Sequence, residues 1–482
     1  MKFIVHSQFD ENSIRASLGR PDYGYYFVRK AYQLALMELG SVETVQNPES
    51  EVDAIFESCV ENGEACVFLS FAPPHKTPIN LKCPTIPVIA WGLSNIPDEV
   101  WDDEPRNDWR FVLRKLGSAI TLSKYAAHAV MAALGPDFPV RAIAAPVAEW
   151  PTAGAAGAVR PHSKSAGAEL KCRNAVIDSA AIDLSADLLV SVSRPGAGDD
   201  ERAPEFGHLE TNSPRRPAQT EEDISPATVE TAAADPAPGP ETIVKIGGVV
   251  YTAVLDPEDL HKNWIDLVAG FCWAFRETAD ATLIVKIVQH DIAAYQSKVF
   301  ELLCRLSPFK CRVIVVQGYL EDAEYEALIA ATTFYVNASK CEGTCRPLME
   351  FMAYGRPAIA PAHTAAADYI NDNVAFVLRA SPEISAWPHD PRELFRTTRY
   401  RLDWGSLLVA LQESYQIAKH APEKYAAMAA RARTKMQECS SVSAIRQQLT
   451  QFLMSPEISP VAATPETPIE SAPATALTDV AD

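Results

Sequence analysis

The sequence predicts an α/β protein with two parallel-sheet domains, and three observations carry that prediction. Short apolar runs of strand length alternate with amphipathic helical stretches in two separate blocks. A long stretch rich in Pro, Ala, Ser and Thr divides the blocks. The 482 residues exceed what one core organises, so two domains plus extra sequence are expected. Composition sets the boundaries at 1–151 for the first domain and 152–242 for a low-complexity insertion. The second domain follows at 243–454, and the tail at 455–482.

In the first block, strands are read at Lys2-Phe3-Ile4-Val5-His6, Ala65-Cys66-Val67-Phe68-Leu69-Ser70 and Ile86-Pro87-Val88-Ile89-Ala90-Trp91. Two more are read near Ala119-Ile120-Thr121-Leu122-Ser123 and Val140-Arg141-Ala142-Ile143-Ala144. Phe27, Ala31, Leu34, Ala35 and Met37 mark a helix after the first strand. Ligands of such sheets bind in the loops after the strands. That singles out Ser7 to Tyr25 (with Gly24), Phe71 to Lys76 (with His75) and Gly92-Leu93-Ser94-Asn95 as the mouth of this domain. The helix from Arg106 to Leu116 is basic and amphipathic. It reads as a helix packed on its sheet with solvated charges, and alternatively as a peripheral contact with an anionic membrane.

The insertion scatters Pro195, Pro204, Pro214, Pro217, Pro226, Pro236, Pro238 and Pro240 among small and polar residues and nearly lacks aromatics. Such a stretch buries too little apolar area to offset its ordering entropy, so it is expected to be disordered, as is the tail. Two apolar pieces, Asn174-Ala175-Val176-Ile177 and Leu188-Leu189-Val190-Ser191-Val192, are expected to pack as an edge strand or hairpin.

The second block opens with the strand Val249-Val250-Tyr251-Thr252-Ala253-Val254. Lys262-Asn263-Trp264 then leads into a helix carrying Leu267, Val268, Phe271, Ala274 and Phe275 at helical spacing. Strands at Thr282 to Ile287 and Arg312 to Val316 follow, the latter ending at Gly318-Tyr319. Two amphipathic helices come later, Leu407 to Lys419 and Lys424 to Gln437, after a segment from Trp387 to Trp404 that reads as polar and irregular. A final helix, Ser443 to Phe452, is expected to cross back to the first domain.

The chemistry concentrates in Cys341-Glu342-Gly343-Thr344-Cys345-Arg346-Pro347-Leu348-Met349-Glu350. The strand Thr333-Phe334-Tyr335-Val336 precedes this stretch, and a strand at Pro357-Ala358-Ile359-Ala360 follows it. Pro347 suits a first helical position and Gly355 the left-handed cap after the last turn. Glu342, Gly343 and Thr344 therefore lie in a loop entering a helix N-terminus, whose N–H groups and dipole favour an anion. Bare N–H groups for phosphate and flanking carboxylates for hydroxyls suit a sugar nucleotide. No G-x-G-x-x-G follows a strand, which argues against NAD or FAD.

The bulk numbers exclude other classes. The formal charge of −19 argues against a nucleic-acid partner. The 10 cysteines include no C-x-x-C pair and mostly sit in apolar or helical runs, which reads as reduced, buried thiols in a cytoplasmic protein. The first strand starts at Lys2, with no secretion signal, and no apolar run is long enough to span a bilayer.

The E-x7-E spacing of Glu342 and Glu350, in its strand–loop–helix setting and followed by Gly355-Arg356-Pro357-Ala358-Ile359-Ala360, resembles the signature of retaining GT-B glycosyltransferases of family 4. The resemblance is specific from Val249 to about Asn373 and extends to the first block only as a strand–helix pattern. It implies GT-B architecture, two Rossmann-like domains facing a central cleft, and transfer of a sugar from a nucleotide-sugar donor to a glycan or lipid-linked acceptor. It assigns Glu342 and Lys262 to catalysis. Glu350, Gly343, Thr344, Cys345, Arg346, Thr364, Gly318 and Tyr319 are expected to bind the donor, and Gly24, Tyr25, His75 and Asn95 to face the acceptor. No metal or other cofactor is implied, and peripheral contact with the inner face of the membrane through the 106–116 helix is consistent with it. The sequence departs from the family in three places: Ala253-Val254 replaces a Gly-Arg, Gly24-Tyr25 replaces a Gly-Gly, and Trp91-Gly92 stands where an acidic or histidine side chain is expected. The missing arginine and the Trp91-Gly92 position keep open an alternative, a sugar-nucleotide-binding scaffold that transfers little or nothing. An epimerase or a phosphorylase lacks its expected pattern.

Overall fold

A computed structural model describes residues 1–147, 168–172, 176–184, 242–289, 292–387 and 390–455. Most of the expected disorder at 152–242 and 455–482, and the apolar piece at 188–192, lie outside the described residues.

The first domain is a six-stranded sheet formed by β1 (Lys2–Ser7), β2 (Ser41–Thr44), β3 (Cys66–Phe71), β4 (Thr85–Ile89), β5 (Ala119–Thr121) and β6 (Val140–Ala142). Its order is β2-β1-β3-β4-β5-β6, with every pairing parallel. Strands β3 and β4 are buried along their whole length, as strands with both faces covered must be. The covering helices are α1 (Tyr23–Met37), α2 (Pro48–Glu61), α3 (Trp109–Leu116) and α4 (Lys124–Leu134). Strand β2, Ser-Val-Glu-Thr, is too polar to be read from hydropathy and is specified by pairing with β1.

The second sheet is built from β10 (Val249–Leu255), β11 (Ala281–Ile287), β12 (Arg312–Gln317), β13 (Phe334–Val336), β14 (Ala358–Pro361) and β15 (Ala375–Leu378), which are mutually parallel. Strand β8 (Val176–Asp178) adds antiparallel to β12, so Val176 and Ile177 of the apolar piece lie in an edge strand, while 174 and 175 fall outside the described residues. Strands β7 (Ala168–Cys172) and β9 (Thr242–Ile246) pair with each other. The helices are α5 (Trp264–Ala274), α6 (Ile292–Leu306), α7 (Asp322–Ala331), α8 (Arg346–Ala353), α9 (Trp404–His420), α10 (Pro422–Ser440) and α11 (Val442–Leu453). Helix α11 leaves this domain and places Ile445, Leu449 and Phe452 in the core of the first, among Phe3, Val28 and Tyr32.

The segment expected to be irregular is instead half of an antiparallel hairpin, β16 (Ala380–Ala386) against β17 (Arg396–Leu402). Its strands are largely polar and half-exposed, so no apolar run marks them. Cross-strand pairing, such as Arg399 to Glu383 at 2.7 Å, holds them.

Candidate functional site

The second sheet reverses direction between β10 and β13. The chain steps from β10 through β11 to β12 on one side and then returns to β13 on the other. The loops leaving β10 and β13 diverge at such a switch point and open a crevice at the carboxyl ends of the strands. Lys262 lies in the first loop, on a 3₁₀ turn from Leu260 to Lys262, and Glu342 lies in the second. The topology brings them together: Lys262 Nζ stands 2.9 Å from both carboxylate oxygens of Glu342. Ser339 Oγ donates to Glu342 Oε1 at 2.7 Å, and Asn337 Nδ2 approaches the same oxygen at 3.4 Å. Glu342 is only 8% exposed. Burial alone would lower the Lys262 ammonium, but the carboxylates of Glu342 and Asp259 outweigh it and hold the ammonium above the ordinary lysine range.

Helix α8 starts as the punctuation predicts. Pro347 sits at its first turn, Gly355 takes φ +72° after its end, and Leu348, Met349, Phe351 and Met352 bury its inner face. Each of these side chains contributes roughly 1.5–3 kcal/mol of burial, which fixes the helix N-terminus beneath the loop. Glu350 receives the Tyr325 hydroxyl at 2.8 Å and pairs with Arg346 Nε at 2.8 Å. Arg346 also donates through Nη1 to the carbonyl of Phe27 in the first domain.

Thr364 lies just after β14, beside the Glu342 loop. It begins a 3₁₀ turn, and its Oγ1 accepts the Glu342 N–H at 3.0 Å. Left-handed backbone collects here: Asn263 (φ 52°), Cys345 (φ 52°) and Thr364 (φ 50°) are three of the non-glycine residues with positive φ. For β-branched Thr364 such a conformation costs on the order of 1–3 kcal/mol, the kind of strain that clusters at functional sites. At the end of β12, the Gly318 carbonyl accepts from Lys286 Nζ, and Tyr319 lies 5.7 Å under the Arg15 guanidinium.

The first domain closes directly onto this loop. A Cβ on Gly92 would lie 2.6 Å from the carbonyl carbon of Glu342, and one on Gly343 would lie 2.9 Å from the nitrogen of Trp91. Only glycines permit that approach. Of the acceptor-side candidates, Gly24 stands in open space on α1. Tyr25 is buried with its hydroxyl on the Ala90 N–H. Asn95 Nδ2 donates to the Arg396 carbonyl at 3.0 Å. His75 stacks on Trp109 and accepts its indole N–H at 3.2 Å. The side chains of Tyr25, His75 and Asn95 are thus engaged within the protein. Trp91, Trp109 and Trp387 form an aromatic cluster across the two domains, with ring centroids 4.6 to 6.3 Å apart.

The sequence reading missed three participants: Tyr325 on α7, Asn337 beneath Glu342, and His363. His363 is 8% exposed and stacks on Tyr400 of β17 at 4.3 Å, with an interplanar angle of 9°. Its Nε2 is buried without a hydrogen-bond partner, as are His261 Nδ1 and Asn263 Nδ2. In the sequence this region was marked only by the expectation, carried by the resemblance, that Thr364 binds the donor. Among the described residues, no group of three or more His, Cys, Asp or Glu side chains is placed to hold a metal ion.

No family model matches this chain, and no curated protein matches it by sequence. Solved structures do. A glycosyltransferase from Rickettsia africae is 11% identical, with 94% of this chain covering 97% of that one at a TM-score of 0.50. HepE from Anabaena, solved with UDP and glucose, is 13% identical over 94% of this chain and 99% of its own, at a TM-score of 0.47. A TarM variant from S. aureus, solved with fondaparinux, α-GlcNAc-glycerol and UDP, is 11% identical over 82% of this chain at a TM-score of 0.45. This chain spans 58% of TarM's length. Two parallel α/β domains facing a cleft, matched along the whole length of the Rickettsia enzyme, give this chain the GT-B fold.

Proposed function

We propose that this chain is a glycosyltransferase that moves a sugar from a nucleotide-sugar donor to a glycan or lipid-linked acceptor with retention of anomeric configuration. One observation carries the reading: Lys262 and Glu342, 80 residues apart in sequence, meet at the switch point of the second domain above the N-terminus of α8. Cation, helix dipole and carboxylate are the groups a sugar diphosphate needs. In this reading Glu350, held by Tyr325 and Arg346, accepts the ribose hydroxyls. Lys262 and the N–H groups of Gly343 and Thr344 take the diphosphate and stabilise the leaving group. Glu342 orients the sugar hydroxyls and opposes positive charge developing at the anomeric carbon. The acceptor attacks on the face the diphosphate leaves, and the leaving phosphate oxygen takes the acceptor's proton. The proposed reaction needs no metal.

No described helix is long and apolar enough to cross a membrane. Peripheral contact through α3 would fall to Arg114 and Lys115, because Arg106 donates to the Thr77 carbonyl and Arg110 pairs with Asp108 and Asp98.

A second reading, binding without transfer, is favoured by the close approach of Gly92 to the Glu342 backbone, which leaves no room there for the acidic or histidine side chain that the resemblance expects. One experiment separates the two. The protein is incubated with UDP-, GDP- and dTDP-sugars while nucleotide release is followed, with Glu350→Ala as the control. Release by the parent and none by the variant supports transfer. Saturable binding without release selects the scaffold, and no binding of any sugar nucleotide sinks both.

A further inference from the structure

His363 sits in the loop after β14 and is not used by the mechanism above. Its ring is clamped on one side by Tyr400, whose N–H donates to the Lys340 carbonyl at 2.8 Å and so ties the hairpin to the site loop. Its Nδ1 lies 3.4 Å from Thr364 Oγ1, the atom that holds the Glu342 N–H. One polar atom is left over: Nε2, buried and without a partner. Leaving such an atom unsatisfied costs on the order of 1–3 kcal/mol, so a native structure that keeps one at a site invites a ligand atom there.

The chemistry of that ligand atom can be narrowed. Burial lowers the imidazole to about 4, although the nearby Glu342 carboxylate opposes the shift, so His363 is neutral near pH 7. A neutral ring offers Nε2 as a donor in one tautomer and as an acceptor in the other. A phosphate oxygen only accepts and is better matched by a cation, which Lys262 already supplies. A sugar hydroxyl both donates and accepts, so it satisfies either tautomer. Through Thr364, His363 is linked to Glu342, which the proposed function sets beside the sugar, whereas the ribose position belongs to Glu350.

We infer that His363 is a specificity-determining residue whose Nε2 hydrogen-bonds a hydroxyl of the transferred sugar. This rests on the function proposed above. The test compares, by calorimetric titration, the nucleotide-sugar that the wild type binds from the panel with its free nucleoside diphosphate. His363→Phe keeps a ring on Tyr400 and removes both nitrogens, while His363→Gln keeps a donor and an acceptor at the Nε2 position. The expected result is about a tenfold weaker nucleotide-sugar complex for His363→Phe, with nucleoside diphosphate affinity unchanged. His363→Gln, which serves alone should the Phe variant fail to fold, should stay within about threefold of wild type for both ligands. Equal losses for both ligands with His363→Phe, or loss of the sugar increment with His363→Gln, would overturn the assignment. A wild type that binds neither ligand would instead sink the proposed function beneath it.

Discussion

Gly92 of the first domain and Glu342 of the second meet backbone to backbone, so closely that a methyl group on Gly92 would overlap the Glu342 peptide. Gly92→Ala must push the two loops apart. The strained closed form should lose about 1–3 kcal/mol, the usual cost of overfilling a packed contact. Small-angle scattering of the variant should show a larger radius of gyration, and an unchanged radius with an unchanged melting temperature would show that the contact yields freely.

The Lys262–Glu342 pair should behave as one unit. Removing a single partner leaves a charge in a largely buried site and is expected to cost about 3–5 kcal/mol. The double variant Lys262→Met, Glu342→Gln leaves no orphaned charge and should cost less than the sum of its parts. Urea denaturation of the four proteins measures the coupling, and strictly additive losses would mean that the pair is too solvated to matter.

Glu350 and His363 should separate in binding. Glu350→Ala is expected to weaken a nucleotide-sugar and its free nucleoside diphosphate equally, by about 10- to 100-fold, because its proposed target is the ribose common to both. A loss confined to the nucleotide-sugar would move Glu350 to the sugar end of the site.

Lys286 gives stability a pH dependence with a definite sign. The residue is 4% exposed, its ammonium donates to the Gly318 and Ile287 carbonyls, and burial lowers it to about 7. Between pH 7 and 10.5 the unfolded chain binds the proton more tightly than the folded one, so stability rises with pH across that window. Below pH 7 both states hold the proton and the penalty is fully present. Lys286→Met, an apolar side chain of similar length, should therefore raise the melting temperature at pH 7. The gain is on the order of 3–5 kcal/mol, less what the two carbonyl bonds contribute. Melting curves from pH 6 to 10 should converge at the alkaline end, and parallel curves would mean that Lys286 stays charged at no cost.

How much of this was legible depended on where the physical signal lies. Pro347, Gly355 and the apolar runs around them are local, so helix α8 and its flanking strands could be read residue by residue. The alternation of strands and helices likewise predicted both sheets, because strands buried on both faces must be apolar. The hairpin β16–β17 could not be read, since Arg396 to Arg401 look like any exposed loop until pairing with β16, the Thr398 N–H on Ser94 Oγ and the Asn95 amide on the Arg396 carbonyl define them. Partners at a distance were equally silent. Nothing near Arg346 announces that it donates to the Phe27 carbonyl 319 residues away, and nothing in Tyr25 announces that its hydroxyl serves Ala90. His363 is distinguished only by its buried, unmatched Nε2, which the fold creates and the sequence does not show.

Helix α11 carries a consequence for the order of synthesis. Ile445, Leu449, Phe452 and Leu453 complete the core that Phe3, Val5 and Tyr32 begin. A ribosome therefore releases the opening strands more than 400 residues before the last pieces of their own core. Until Leu453 emerges, the face of α1 that α11 covers stays wet. Among the described residues the core of the second domain takes no side chain from α11, so that domain can set first and present its C-terminal end as the arm that delivers α11.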